Sequence, residues 1–173
     1  MSDRIALQGE QGCFSHLASL EIFPNAEIKF CSTFEETFQL AKENPIYKIV
    51  IPIENSLAGR VADIHHLIPK YNLQIHAEHF QKVNHNLLGV KGAKIEDIKN
   101  VRSHAQALGQ CQKIILKNNL IPIISADTAG SAKFISEKND KRESAIASEL
   151  AAKIYNLEIL KSKVEDEIGN VAR

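Results

Sequence analysis

The sequence predicts an α/β fold with mainly parallel sheets, and three observations carry that reading. Short apolar runs alternate with segments of helical period along the whole chain. One run, Lys48-Ile-Val-Ile-Pro-Ile53, is apolar almost without a break, which suits a strand buried on both faces. Ser, Thr and Asp recur where apolar runs give way to helical periodicity, the positions from which they cap helices.

Arg4–Gln8 reads as the first strand and runs into a loop holding Gly9 and Gly12. Ser15 caps a helix carrying Leu17 and Leu20, stopped by Pro24. Residues 28–31 form a second short strand. Thr33-Phe-Glu-Glu36 has capping-box spacing and opens a helix through about Lys42. Residues 48–53 are the third strand. After Gly59, a helix with Val61, Ile64, Leu67 and Ile68 on its apolar face runs to Pro69.

Residues 74–90 are strand-like, with loop-forming Asn84 and Asn86. Ser103-His-Ala-Gln106 repeats the capping-box spacing, ahead of a helix that buries Leu108, Cys111 and Ile115. Residues 120–125 form an apolar strand broken by Pro122. Asp127 or Thr128 caps a short helix through Ile135. Residues 145–147 read as a strand, Ser148 begins a helix ending near Tyr155, and residues 157–160 form a last strand. Between them, residues 137–143 mix charges as a solvated connection does.

Composition narrows the function. Lys plus Arg number 21 and Asp plus Glu 21 among 173 residues, so the formal net charge is zero and the pI is near 7.1. With 44% hydrophobic residues, intrinsic disorder is excluded. The even charge balance argues against a nucleic-acid partner, which requires concentrated Lys and Arg. Aromatic residues at 6% and the absence of Trp weaken any base-stacking surface. No apolar run reaches about 18 residues, so no membrane span is expected. The opening MSDRIALQGEQG lacks the features of a secretory leader, and a cytoplasmic protein is expected. Cys13, Cys31 and Cys111 are odd in number and widely spaced, which predicts free thiols rather than a disulfide framework or structural zinc.

Four polar clusters fall where strands meet helices, the usual place for binding loops in open α/β sheets. In Gly9-Glu-Gln-Gly-Cys-Phe-Ser15, the glycines either let backbone N–H groups cradle an anion or serve a tight turn. In Pro52-Ile-Glu-Asn-Ser-Leu-Ala-Gly59, a carboxylate, an amide and a hydroxyl gather at a strand end. Glu54 could move protons if burial raises its pKa, while Asn55 or Ser56 could simply cap. In Ser103-His-Ala-Gln-Ala-Leu-Gly-Gln-Cys111, capping accounts for Ser103 and Gln106 but not for His104 and Gln110. Asp127-Thr-Ala-Gly-Ser131 is a further capped helix start. His76, His79 and His85 could suggest a metal, but on a strand His76 and His79 point to opposite faces, so no metal is expected. No phosphate-loop or dinucleotide fingerprint occurs, so no nucleotide cofactor is expected.

These clusters, in this order and with the closing Asn170-Val-Ala-Arg173, resemble the catalytic domain of prephenate dehydratase. The family's Gly-Pro-x-Gly-Thr-Phe-Ser stretch corresponds to residues 9–15. Its Pro-x-Glu-Asn-Ser-x-x-Gly motif is residues 52–59, and its Ser-His-Pro-Gln-x-x-x-Gln-Cys motif is residues 103–111. Residues 127–132 look like its Ser-Thr-Ala-x-Ala-Ala segment, and the end of the chain aligns with its Asn-x-Thr-Arg-Phe. The resemblance covers essentially the whole chain.

The resemblance implies two α/β lobes with a cleft between them, as in the type II periplasmic-binding-protein fold. Residues 1–79 with 165–173 would form the first lobe and 80–164 the second, with crossings near residues 78–82 and 162–166. It implies conversion of prephenate to phenylpyruvate, carbon dioxide and water, with no cofactor, metal or redox partner. Carried over residue by residue, Glu54, Gln110, Ala172 and Arg173 are the catalytic positions. Asn55, Ser56, Ser103, His104 and Thr128 are the substrate-binding ones. A homodimer or higher homo-oligomer acting on a small-molecule substrate is expected, in L-phenylalanine biosynthesis. Arogenate dehydratase shares the motifs and is the alternative substrate reading.

Two departures bear on activity. Ala172 stands where the family has the threonine expected to act at the leaving hydroxyl, and losing one such donor costs about 10²–10³ in rate. The expectation is weak activity, a substitute donor such as Ser103, Thr128 or water, or a non-catalytic prephenate-binding module. The sequence also stops at Arg173, before the family's phenylalanine and its usual ACT regulatory domain, so either a truncated catalytic piece or a natural protein without that regulation is expected, with a frayed Arg173. Cys13 for threonine and Ala105 for proline are milder changes.

Overall fold

A computed structural model describes residues 3–173; Met1 and Ser2, at the head of the first expected lobe, lie outside the described residues. In chain order the elements are β1 (Arg4–Gln8), α1 (Phe14–Ile22), β2 (Glu27–Cys31), α2 (Phe34–Glu43), β3 (Tyr47–Ile49), β4 (Glu54–Asn55), β5 (Gly59–Arg60), α3 (Ala62–Tyr71) and β6 (Gln81–Lys82). There follow β7 (Asn86–Gly89), β8 (Asn100–Ser103), α4 (Ala105–Gly109), α5 (Gln112–Lys117), β9 (Ile121–Ile124), α6 (Thr128–Lys138), β10 (Glu143–Ala147), α7 (Glu149–Ile154), β11 (Glu158–Lys161) and β12 (Val171–Ala172). The fold is α/β. The chain divides into two compact units. One comprises Met1–Glu10, Phe14–Val83 and Gly169–Arg173, the other Gln11–Cys13 and Asn84–Ile168.

In the first unit, a parallel sheet of order β2-β1-β3 carries Ile5, Ala6 and Leu7 fully buried at its centre. Thr33 caps α2 through its side chain, as its spacing predicts. Phe38, Ile64 and Leu67 form the core of α2 and α3, against which Ile49, Ile51 and Ile53 pack. The run at residues 48–53 is therefore not buried on both faces. It belongs to an edge strand, regular only to Ile49, and covers one cluster with alternate isoleucines. A second, antiparallel sheet of order β5-β4-β12-β6 completes this unit.

In the second unit, a mixed sheet of order β11-β7-β10-β8-β9 surrounds a larger core that includes Leu87, Leu88, Val101, Ile135 and Ile146. Its β10-β8-β9 half is parallel, while β7 runs antiparallel to both neighbours. No helix leads into β7, so no crossover dictates a parallel partner. Pro122 lies on the edge strand β9, where a missing N–H costs no ladder bond to a further strand. The helix expected behind Ser103 is two helices. The Asp166 carboxylate accepts the N–H groups of Gln112 (2.7 Å) and Lys113 (3.0 Å), which caps a fresh start at α5. Leu108, Cys111 and Ile115 are buried even so. Within the charge-rich 137–143 stretch, Glu143 is not solvated: it is 4% exposed and accepts from Lys138 (2.6 Å) and Asn100 (3.0 Å).

Candidate functional site

In the first unit β12 inserts between β4 and β6, so that residues 170–173 meet the 52–59 segment directly. The Ile53 N–H donates to the Arg173 carbonyl (2.7 Å), Arg173 N–H to Glu54 (2.9 Å), Ser56 N–H to Val171 (2.8 Å), and Val83 N–H to Asn170 (2.9 Å). Arg173, expected to be frayed, is thereby fixed on both sides of its backbone. Ala172 stands opposite Asn55 on one strand and Gln81 on the other. Directly opposed residues share a face, and faces alternate along each strand. Asn55, Ala172 and Gln81 therefore make one row. Glu54, one residue along β4, faces the other way.

Glu54, Asn55, Ser56 and Arg173 each have definite side-chain partners in this ladder. Asn55 Nδ2 donates to Asn170 Oδ1 (2.6 Å), while Asn55 Oδ1 accepts from the N–H groups of Leu57 (3.0 Å) and Ala58 (2.9 Å). Ser56 Oγ donates to the Gly169 carbonyl (3.0 Å) and accepts from Val171 N–H (2.9 Å). Glu54 Oε1 lies 3.1 Å from Arg173 Nε, and Arg173 Nη1 lies 3.6 Å from Glu78 Oε2. The burial on which a proton-handling role for Glu54 was conditioned is not found: its side chain is 43% exposed and ion-paired.

Gly12 has φ +90, and a Cβ there would sit 2.6 Å from Ala151 Cα. Its carbonyl accepts from Ser148 Oγ (2.5 Å), the same hydroxyl that caps α7 by accepting from Ala151 N–H (3.0 Å). Close packing against α7 thus explains this glycine.

The second unit's remaining site candidates lie at strand and helix ends. Ser103 is still in β8, fully buried, and its Oγ donates to the Ile146 carbonyl (2.7 Å). The cap of α4 is His104 instead, whose Nδ1 accepts from Gln106 N–H (3.3 Å). Gln110 follows α4, with its Oε1 3.0 Å from His85 Nε2 and its carbonyl accepting Asp166 N–H (2.7 Å). His85 is 3% exposed, and its backbone N–H donates to Glu165 Oε2 (2.9 Å). Burial pushes its pKa down, with the Gln110 bond and the Glu165 charge acting the other way. Thr128 is the first residue of α6, half-buried, beside the cap Asp127, whose Oδ1 accepts from Gly130 N–H (2.6 Å).

Sequence reasoning missed Gln81, Asn170 and Glu78, and weighed His85 only as a metal ligand. Asn170 lay inside a quoted motif; Gln81 and Glu78 gave no local signal, because only strand pairing brings them to this ladder. Among the described residues no group of three or more His, Cys, Asp or Glu side chains is placed to hold a metal ion, and no disulfide joins Cys13, Cys31 or Cys111. No helix among them is long and apolar enough to cross a membrane.

A family model described as prephenate dehydratase matches residues 5–173. A bifunctional N-acyl-homoserine lactone acylase/prephenate dehydratase of Komagataeibacter europaeus is 40% identical over 98% of this chain and 60% of its own length. The chloroplastic arogenate dehydratase/prephenate dehydratase 1 of Arabidopsis thaliana is 42% identical over 98% of this chain and 43% of its own. The chain therefore spans about half the length of these curated relatives. The solved prephenate dehydratase of Arthrobacter aurescens, in complex with L-Phe, superposes with a TM-score of 0.88 at 23% identity, over 98% of this chain and 58% of that one. A nutrient-binding protein of Burkholderia cenocepacia bound to methionine shares the fold more distantly, with a TM-score of 0.52 at 10% identity over 98% of this chain and 81% of that one.

Proposed function

We propose that this chain, which belongs to the prephenate dehydratase family, converts prephenate to phenylpyruvate, carbon dioxide and water in L-phenylalanine biosynthesis. The observation that carries the reading is the ladder joining the 52–59 and 170–173 segments, two motifs far apart in the chain and bonded strand to strand.

The chemistry asks little covalent work of the protein. The bond from the ring to its carboxylate breaks, and that electron pair enters the ring as carbon dioxide leaves. The C4–O bond breaks with its own pair, and the departing hydroxide takes one proton from solvent to become water. The reaction balances without an oxidant or reductant. The protein's task is to hold a dianion and stabilise the departing oxygen.

In this reading Arg173 binds a substrate carboxylate, exchanging a pairing with Glu54 or Glu78 for one with the ligand. Glu54 aims the guanidinium. Asn55 and Ser56 hold the strand that presents it, and Ala172 marks the place of the departing hydroxyl. In the second unit the reading assigns substrate contacts to His104, Gln110 and Thr128, and to Ser103 the support of the β8 end. A homodimer or larger homo-oligomer in the cytoplasm follows from the family resemblance. Parallel incubations with prephenate and with arogenate, with products identified, test the reading. Phenylpyruvate and carbon dioxide in equal amounts from prephenate are expected, and turnover of arogenate alone would overturn it.

A further inference from the structure

We propose that Gln81 is the side chain that meets the departing C4 hydroxyl in this protein, acting from the strand opposite Ala172. The inference rests on the prephenate reading above. Where the family resemblance implies a threonine hydroxyl, Ala172 offers only a methyl group, which neither donates nor accepts a hydrogen bond.

The strand register supplies the nearest polar substitute. Ala172 pairs with Gln81 on β6 and with Asn55 on β4, so the three side chains stand in one row on one face. Of the two neighbours, Asn55 is committed: its carboxamide is bonded to Asn170, Leu57 and Ala58. Gln81 is not. It is 9% exposed, and its Nε2 donates to the Lys82 carbonyl at 3.1 Å. Its Oε1 is buried and has no hydrogen-bond partner among the described residues. A buried acceptor left unpaired is costly to a fold and points to a group that binds there. The Lys82 bond also fixes the amide orientation, since a flipped amide would set two oxygens against each other.

The carboxamide suits both stages of the reaction. In the bound substrate Oε1 accepts the hydrogen of the neutral C4 hydroxyl. As the C4–O pair leaves with oxygen, the second Nε2 hydrogen donates to the developing hydroxide, which then takes its proton from solvent. Gln81 is not consumed and transfers no proton of its own.

The test is steady-state turnover of prephenate by the 173-residue chain and by Gln81→Ala, Gln81→Met, Ala172→Thr and the Gln81→Ala/Ala172→Thr double variant. Gln81→Ala is expected to lower kcat by about 10²–10³, with KM changed by less than about threefold. Adding Ala172→Thr to it is expected to restore at least about tenfold in kcat, because the hydroxyl takes over the contact. The gain from Ala172→Thr is expected to be at least about tenfold smaller in the parent background than in Gln81→Ala. Should Gln81→Ala fail to fold, Gln81→Met decides, since it keeps the length of the side chain and removes both donor and acceptor. A Gln81 variant that is folded and within about threefold of the parent overturns the proposal, as does a loss that Ala172→Thr does not relieve. A parent that is folded and leaves prephenate intact overturns this proposal and the function reading together.

Discussion

Asn55 and Asn170, 115 residues apart, share a side-chain hydrogen bond of 2.6 Å in which Asn55 Nδ2 is the donor. The same Asn55 carboxamide closes the turn after β4 by accepting two backbone N–H groups. One side chain therefore fixes both the local turn and the seat of the returning strand. Asn55→Ala is expected to cost about 1–3 kcal/mol in denaturant unfolding, because it takes a donor from the buried Asn170 carboxamide. Asn55→Asp keeps the turn acceptor and is expected to cost less. A double-mutant cycle with Asn170→Ala checks the coupling, and strictly additive losses would contradict it.

Gly12 gives a second test. A Cβ at this position would lie 2.6 Å from the backbone Cα of Ala151, and φ is +90. Gly12→Ala is expected to destabilise the chain by about 1–3 kcal/mol, from backbone strain and overpacking. Because the closest atom is main chain, Ala151→Gly is expected not to rescue it. Thermal melts of the single and double variants measure both effects.

Stability should also respond to pH through His85. Burial lowers its pKa from the ordinary 6.5, so between the folded value and 6.5 the unfolded chain binds more protons. The stabilisation is fully present above about pH 6.5 and is lost as pH falls through the folded value. Unfolding midpoints in urea at pH 7.5 and 5.5 are expected to fall toward acid in the parent. In His85→Asn the drop over that window is expected to shrink, and an unchanged drop would assign it to other groups.

Much of this was legible from local signals. The Thr33 and Ser148 caps, the burial of Leu108, Cys111 and Ile115, and the strand at residues 145–147 all follow from spacing within a few residues. What spacing hid was set by distant partners. Asp166 divides the α4–α5 segment from 54 residues away, and the Ile146 carbonyl draws Ser103 into β8, which leaves the cap to His104. The site followed the same rule. Its motifs could be read, but β4, β6 and β12 are two residues long each and carry no periodicity. The row of Asn55, Ala172 and Gln81 exists only in the register.

Under the proposed function Arg173 holds a substrate carboxylate, while its side chain contributes little to stability. Its pairing with Glu54 is an exposed one, worth about 0.2–1 kcal/mol in stability. The most direct measurement is therefore phenylpyruvate formation from prephenate by the parent chain beside Arg173→Ala, with unfolding midpoints taken on the same samples. Turnover by the parent and a fall in kcat/KM of at least about a hundredfold in the variant, at nearly equal stability, are expected if Arg173 holds the substrate. A folded parent that leaves prephenate unchanged, or a folded variant as active as the parent, would contradict it.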